Sequence, residues 1–125
     1  MRVCAIDIGS NSVRCLVADV TQGGLISPIE RSLESTRLGE GMGKKQTIFP
    51  EAAERTVAAI LRYVEMGRRA RAASFLLFGT AILREAENAQ SFIDGVREKT
   101  GYEIRILSGE EEAEFIYRGV TRAFS

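Results

Sequence analysis

An α/β domain built on a mixed five-stranded sheet is the fold the sequence predicts, and three observations predict it. Two apolar runs with β-branched members, residues 2–8 (RVCAIDI) and 13–20 (VRCLVADV), flank the turn-forming cluster Gly9-Ser10-Asn11-Ser12, which is a hairpin signature. The run 75–78 (FLLF) is continuously apolar, as in a buried parallel strand. From residue 50 onward, helical spacing and strand runs take turns, which gives the element order β-β-β-α-β-α-β-α. A meander that passes into crossovers places the first strand near the centre of the sheet.

Each element has a local cause. Gly23-Gly24 makes a second tight connection after the hairpin. The next strand, about 25–36, contains Pro28, which lacks an amide donor and so belongs at a sheet edge. Residues 38–49 (LGEGMGKKQTIF) carry three glycines and read as a loop. Pro50 opens a helix, where its missing donor is harmless. Ala53, Val57, Ile60, Leu61 and Val64 follow helical spacing and should cover the sheet. Gly79-Thr80 ends the FLLF strand. Asn88 is placed to cap a helix running to about Thr100, with Gly101 as its stop. Residues 102–107 (YEIRIL) alternate as a strand. Ser108 starts a last helix that reaches Ser125 without a stop signal, so the chain reads as part of a longer protein.

Composition narrows the chemistry. The 125 residues suit one domain, and the apolar fraction of 45% supports a core. Seventeen basic and 17 acidic side chains give a net charge of zero, without the electrostatic footprint of a nucleic-acid binder. Arg68, Arg69 and Arg71 sit where a helix dipole favours cations. No apolar run approaches the roughly 18 residues of a membrane span, and the N-terminus lacks a cleavage signal, so a cytoplasmic chain is expected. Cys4 and Cys15 fall in the two hairpin strands and read as buried thiols in a reducing compartment. The absence of histidine excludes serine–histidine and cysteine–histidine nucleophiles and leaves acid–base work to carboxylates, Lys, Tyr or Cys.

Two clusters could carry that chemistry. Asp7 interrupts an apolar strand just before the turn, a position that calls for pairing, hydration or a metal. Gly9 relaxes the backbone, and successive amides through Ser10, Asn11 and Ser12 can form an anion nest; a polar turn with a capping aspartate reads equally well. In Ser108-Gly109-Glu110-Glu111-Glu112, Ser108 and Glu111 match a capping box, and acids suit a first helical turn. On a helical wheel Glu110 and Glu114 share the polar side with Arg118 and Thr121, and Glu111 lies at the margin. Glu112 falls in the stripe of Ile116, Gly119, Val120 and Ala123, so this carboxylate points inward, where it could accept a proton from water. Arg84 either holds phosphate oxygens or pairs with Glu85 or Glu87. Arg14, two residues past the turn, either reaches the same cleft or snorkels to solvent.

These stretches carry a family resemblance. AIDIGSNSVRCLV at 5–17, RLGEGM at 37–42, GTAILREAEN at 79–88 and YEIRILSGEEEAEFIYRGV at 102–120 resemble the exopolyphosphatase/guanosine pentaphosphate phosphatase (Ppx/GppA) family across nearly the whole chain. The Asp-x-Gly element alone is shared with actin-like ATPases and sugar kinases; its union with LREAEN and LSGEEEA is specific. The resemblance implies the actin-like, ribonuclease-H-like fold, with residues 1–125 as an N-terminal subdomain. It implies that Gly9, Ser10, Asn11 and Ser12 form a phosphate loop and that Glu112 activates the attacking water. It places Arg84 near the phosphates and Asp7 at a Mg²⁺ site, through water. The substrate implied is polyphosphate or a guanosine polyphosphate, with no nucleic-acid or membrane partner; a homodimer of the full-length protein stays open.

The departures are Phe49, where the family more often has a serine cap, and the absence of a second phosphate loop and a further acidic metal position. The 125 residues alone are therefore expected to be inactive. Two alternatives remain at this level: an ATP-dependent small-molecule kinase of the same fold, and a module that binds an alarmone without hydrolysing it.

Overall fold

The computed structural model describes residues 1–43 and 46–111. Strands β1 (Arg2–Ile8), β2 (Val13–Val20) and β3 (Ile26–Glu34) form the antiparallel meander. Helix α1 (Pro50–Arg69) follows, then β4 (Ser74–Gly79), a short helix α2 (Ala81–Glu85), helix α3 (Ala89–Thr100) and β5 (Ile104–Ile106). The sheet order is β3-β2-β1-β4-β5, with β4 parallel to β1 and β5 parallel to β4. The first strand is thus central, and the strand with Pro28 lies at an edge. Pro28 sits beside a bulge where the register slips between Val17 and Ala18, which removes the need for its amide donor.

One face of the sheet is the core. Cys4, Ile6 and Ile8 of β1 and Val13, Cys15 and Val17 of β2 alternate inward and are buried with Leu77. Helix α1 lies over β1 and β2, and α3 packs beside it. Gly67 lets α1 approach β1 closely: a methyl group there would lie 2.5 Å from Phe75 Cε1 and 2.8 Å from Cys4 Sγ. Pro50 occupies the first turn of α1 behind Phe49, which gives no side-chain cap. The other end of α1 is held by Arg2, whose Nη1 donates to the Ala70 carbonyl at 2.8 Å. Arg68 and Arg69 occupy its last turn and are exposed, as helix-end cations should be.

Four expectations need correction. Leu61 does not join the buried face of α1 but is 39% exposed; Ala52, Thr56, Ala59, Ile60, Tyr63, Val64 and Gly67 form that face. Helix α2 interrupts what read as a plain strand end after Thr80, because a single turn is too short to show a period. Strand β5 spans three residues rather than six. Asn88 stands at the cap position of α3 but its side chain does not cap. Its Oδ1 accepts from the Ile48 amide at 2.8 Å and its Nδ2 donates to the Ile48 carbonyl at 2.9 Å, clamping the 46–49 segment onto α3. The stop at Gly101 is as expected, with φ of 82°.

Candidate functional site

Three parallel strands end together. Ile8, Gly79 and Ile106 form one row across β1, β4 and β5, so the chain leaves all three carboxyl ends at one rim. In open α/β sheets that rim is where ligands bind. Gly9 and Leu107 follow the outer members of this row, two strand spacings or about 10 Å apart. The structure therefore brings the Gly9–Ser12 turn and the Leu107–Glu111 corner to a common edge.

The turn is tightly made. Gly9 N donates to Ser12 O at 3.0 Å, and a side chain at Gly9 would crowd that same oxygen at 3.2 Å. Residues 37–42 brace it from outside. Arg37 N donates to Asn11 O at 3.1 Å, and Gly39 N donates to Ser10 O at 3.0 Å. Arg37 adopts φ of 51°, a conformation non-glycine residues avoid, and Gly41 has φ of 73°. The sequence marks 38–49 as a glycine-rich loop and 37–42 as part of a family resemblance, without a role for either at the turn. The glycines of RLGEG were the available signal, but the partner, more than 25 residues away, was not readable.

Asp7 and Arg14 stand directly opposite each other on β1 and β2, one residue pair back from the turn. Phe78 flanks Asp7 on β4 and Leu33 flanks Arg14 on β3, so these four form one row on the sheet face opposite the core. They line a shallow depression of about 610 Å³ together with Leu16 and Arg31. Asp7 Oδ1 is shut off from solvent, whereas Arg14 is exposed. Among the described residues no three His, Cys, Asp or Glu side chains converge on one point as a metal cage. A single carboxylate at this rim would suit a cation that keeps most of its waters, the usual habit of Mg²⁺, rather than an all-protein cage.

The second half of the rim is the corner. Leu107 N donates to Gly79 O at 2.9 Å, and Arg84 Nη1 donates to Leu107 O. The capping box is present: Glu111 N donates to Ser108 Oγ at 3.0 Å, and Ser108 N donates to Glu111 Oε1 at 3.2 Å. Arg105 Nη2 adds an ion pair to Glu111 Oε2 at 2.9 Å. The Ser108 amide first, and Arg105 next, hold the Glu111 carboxyl below the usual glutamate range. Residues 109–111 are helical. Glu112, the leading candidate for the water-activating base, lies outside the described residues, as does the stripe assigned to it.

Cys4 and Cys15 are free thiols with sulfurs 3.7 Å apart inside the core. Contact with Cys4, then burial, pushes the Cys15 thiol up. No described helix is long and apolar enough to cross a membrane.

A mixed sheet with a glycine turn after its central first strand is the architecture of the actin-like, ribonuclease-H-like fold. The chain superposes on the Aquifex aeolicus Ppx/GppA family member with a TM-score of 0.89 at 27% identity, covering 98% of this chain and 40% of that one. An exopolyphosphatase from Cytophaga hutchinsonii matches with a TM-score of 0.89 at 25% identity, over 96% of this chain and 38% of that one. Exopolyphosphatase 1 of Mycobacterium tuberculosis is 30% identical over 122 residues, 98% of this chain and 36% of the relative. The guanosine-5'-triphosphate,3'-diphosphate pyrophosphatase of Vibrio atlanticus is 34% identical over 116 residues, 93% of this chain and 23% of the relative. The family model of the Ppx/GppA phosphatases matches residues 16–125. The chain belongs to the Ppx/GppA phosphatase family, a family of hydrolases. It spans well under half the length of the relatives it matches.

Proposed function

We propose that the protein containing these residues hydrolyses terminal phosphoanhydride bonds of inorganic polyphosphate or guanosine pentaphosphate. The observation that carries this reading is the shared rim: an anion-accepting turn after β1 and the corner that leads directly into Glu112 after β5 leave parallel strands separated only by β4, about 10 Å apart. Phosphoryl transfer needs positioning and charge neutralisation more than covalent chemistry. The Gly9–Ser12 turn receives the terminal phosphate through backbone amides and the hydroxyls of Ser10 and Ser12. Arg14 lends positive charge from the adjoining row. Glu112 takes a proton from the attacking water. Asp7 would help hold a divalent cation, Mg²⁺ by chemistry, which when bound would offset charge on the phosphate oxygens. The remaining phosphate and metal contacts come from parts of the protein beyond these residues, so the 125-residue chain alone is inactive.

The test is phosphate release by the full-length protein with both substrates, repeated with Glu112→Ala. Loss of a general base should lower turnover by about 10²–10⁴-fold with substrate still bound. Undiminished turnover in Glu112→Ala, or tight binding with no turnover in the wild type, would overturn the reading. Magnesium-dependent turnover by residues 1–125 alone would refute the claim of an incomplete site.

A further inference from the structure

We infer that Arg84 is a positioning residue: it fixes the corner from which the Glu112 segment departs. This rests on the hydrolytic reading above. The ground is where its guanidinium goes. Arg84 closes the single turn of α2, whose neighbours Ile82 and Leu83 are buried and whose backbone is tied by Leu83 N to Thr80 O at 3.0 Å. From that fixed base its Nη1 donates to the carbonyl of Leu107. The amide of the same residue is held by Gly79 O. Both peptide groups of Leu107 are therefore held by the β4–α2 segment, and its side chain is buried at 6% exposure.

The next four residues continue the restraint. The reciprocal Ser108–Glu111 bonds fix the start of the helical turn, and Arg105 clamps the Glu111 carboxylate from the strand side. Glu112 is the next residue in the chain. A carboxylate that must take a proton from a positioned water tolerates little displacement of its backbone. A planar guanidinium presents its donors in a fixed fork and so holds a carbonyl in one direction; a lysine ammonium on a flexible stem does not. Arg84 thus acts on the reaction through the backbone of residues 107–111.

Two measurements on the full-length protein test this, using Arg84→Lys and Arg84→Gln. In steady-state hydrolysis of polyphosphate, both variants should lose about 10–100-fold in kcat, with KM within about twofold of wild type. A KM rise with kcat preserved would show a substrate contact and overturn the inference. In hydrogen exchange, which needs no turnover, the Leu107 and Glu111 amides should lose about tenfold in protection while amides of β1 and α1 keep theirs. Unchanged protection at the corner would overturn it independently. Should the wild type hydrolyse neither substrate, the hydrolytic reading fails, and with it the catalytic part of the inference. The exchange result still decides whether Arg84 holds the corner.

Discussion

Replacing Gly67 by alanine sets two effects against each other. Gly67 lies inside α1, so the substitution removes a helix-weakening residue and should stabilise by about 0.8–1 kcal/mol on propensity alone. The new methyl, however, would sit 2.5 Å from Phe75 Cε1, 2.8 Å from Cys4 Sγ and 2.9 Å from Cys4 Cβ. Cys4 Cβ is fixed in place by the backbone of the central strand and cannot rotate away. Phe75 is stacked on Tyr102 with ring centroids 4.8 Å apart, which restricts its retreat. Relief then requires α1 to lift from the sheet, and overpacking of this kind costs about 1–3 kcal/mol. The clash outweighs the propensity gain, and a net loss of up to about 2 kcal/mol is expected. In a domain of this size that is a Tm decrease of up to roughly 8 °C. Urea unfolding of the protein, with a Gly67→Ala, Phe75→Leu double variant that removes the nearest contact, measures it. An increase in stability of Gly67→Ala would refute the argument that α1 is seated at contact distance on β1.

Two further outcomes follow from polar contacts. Asn88→Ala leaves both backbone groups of buried Ile48 without their side-chain partner and should destabilise by about 2 kcal/mol; Asn88→Asp should fare little better, because it offers an acceptor where Ile48 O needs a donor, and denaturant midpoints of both variants check this. The Glu111 carboxyl is depressed in the folded state, so its contribution is present above the unfolded pKa and is lost as pH falls through the folded one. An NMR titration should put the Glu111 midpoint below the ordinary glutamate range, and a midpoint at or above that range would mean the capping box does not form.

Legibility tracked the distance between cause and effect along the chain. The hairpin, the edge placement of the Pro28 strand, the helix start at Pro50 and the stop at Gly101 each rest on a few adjacent residues, and all stand in the structure. Asn88 was read as a cap from its position, but its partner is Ile48, 40 residues earlier, and no local pattern announces that. Leu61 satisfied helical spacing yet points outward, because periodicity sets the direction of a stripe and not its width. In the site, turn chemistry made the Gly9–Ser12 element readable. The Arg84 contact to a backbone carbonyl 23 residues away was not, since its type and spacing suit an acidic neighbour first and a phosphate next.

The bracing of the hairpin tip by residues 37–39 bears on which ion can arrive first. The oxygens of Ser10, Asn11 and Ser12 each already receive an amide hydrogen, from Gly39, Arg37 and Gly9 respectively. The acceptor ends of those peptide units are thereby engaged, so the backbone of the tip suits an anion better than a bare cation.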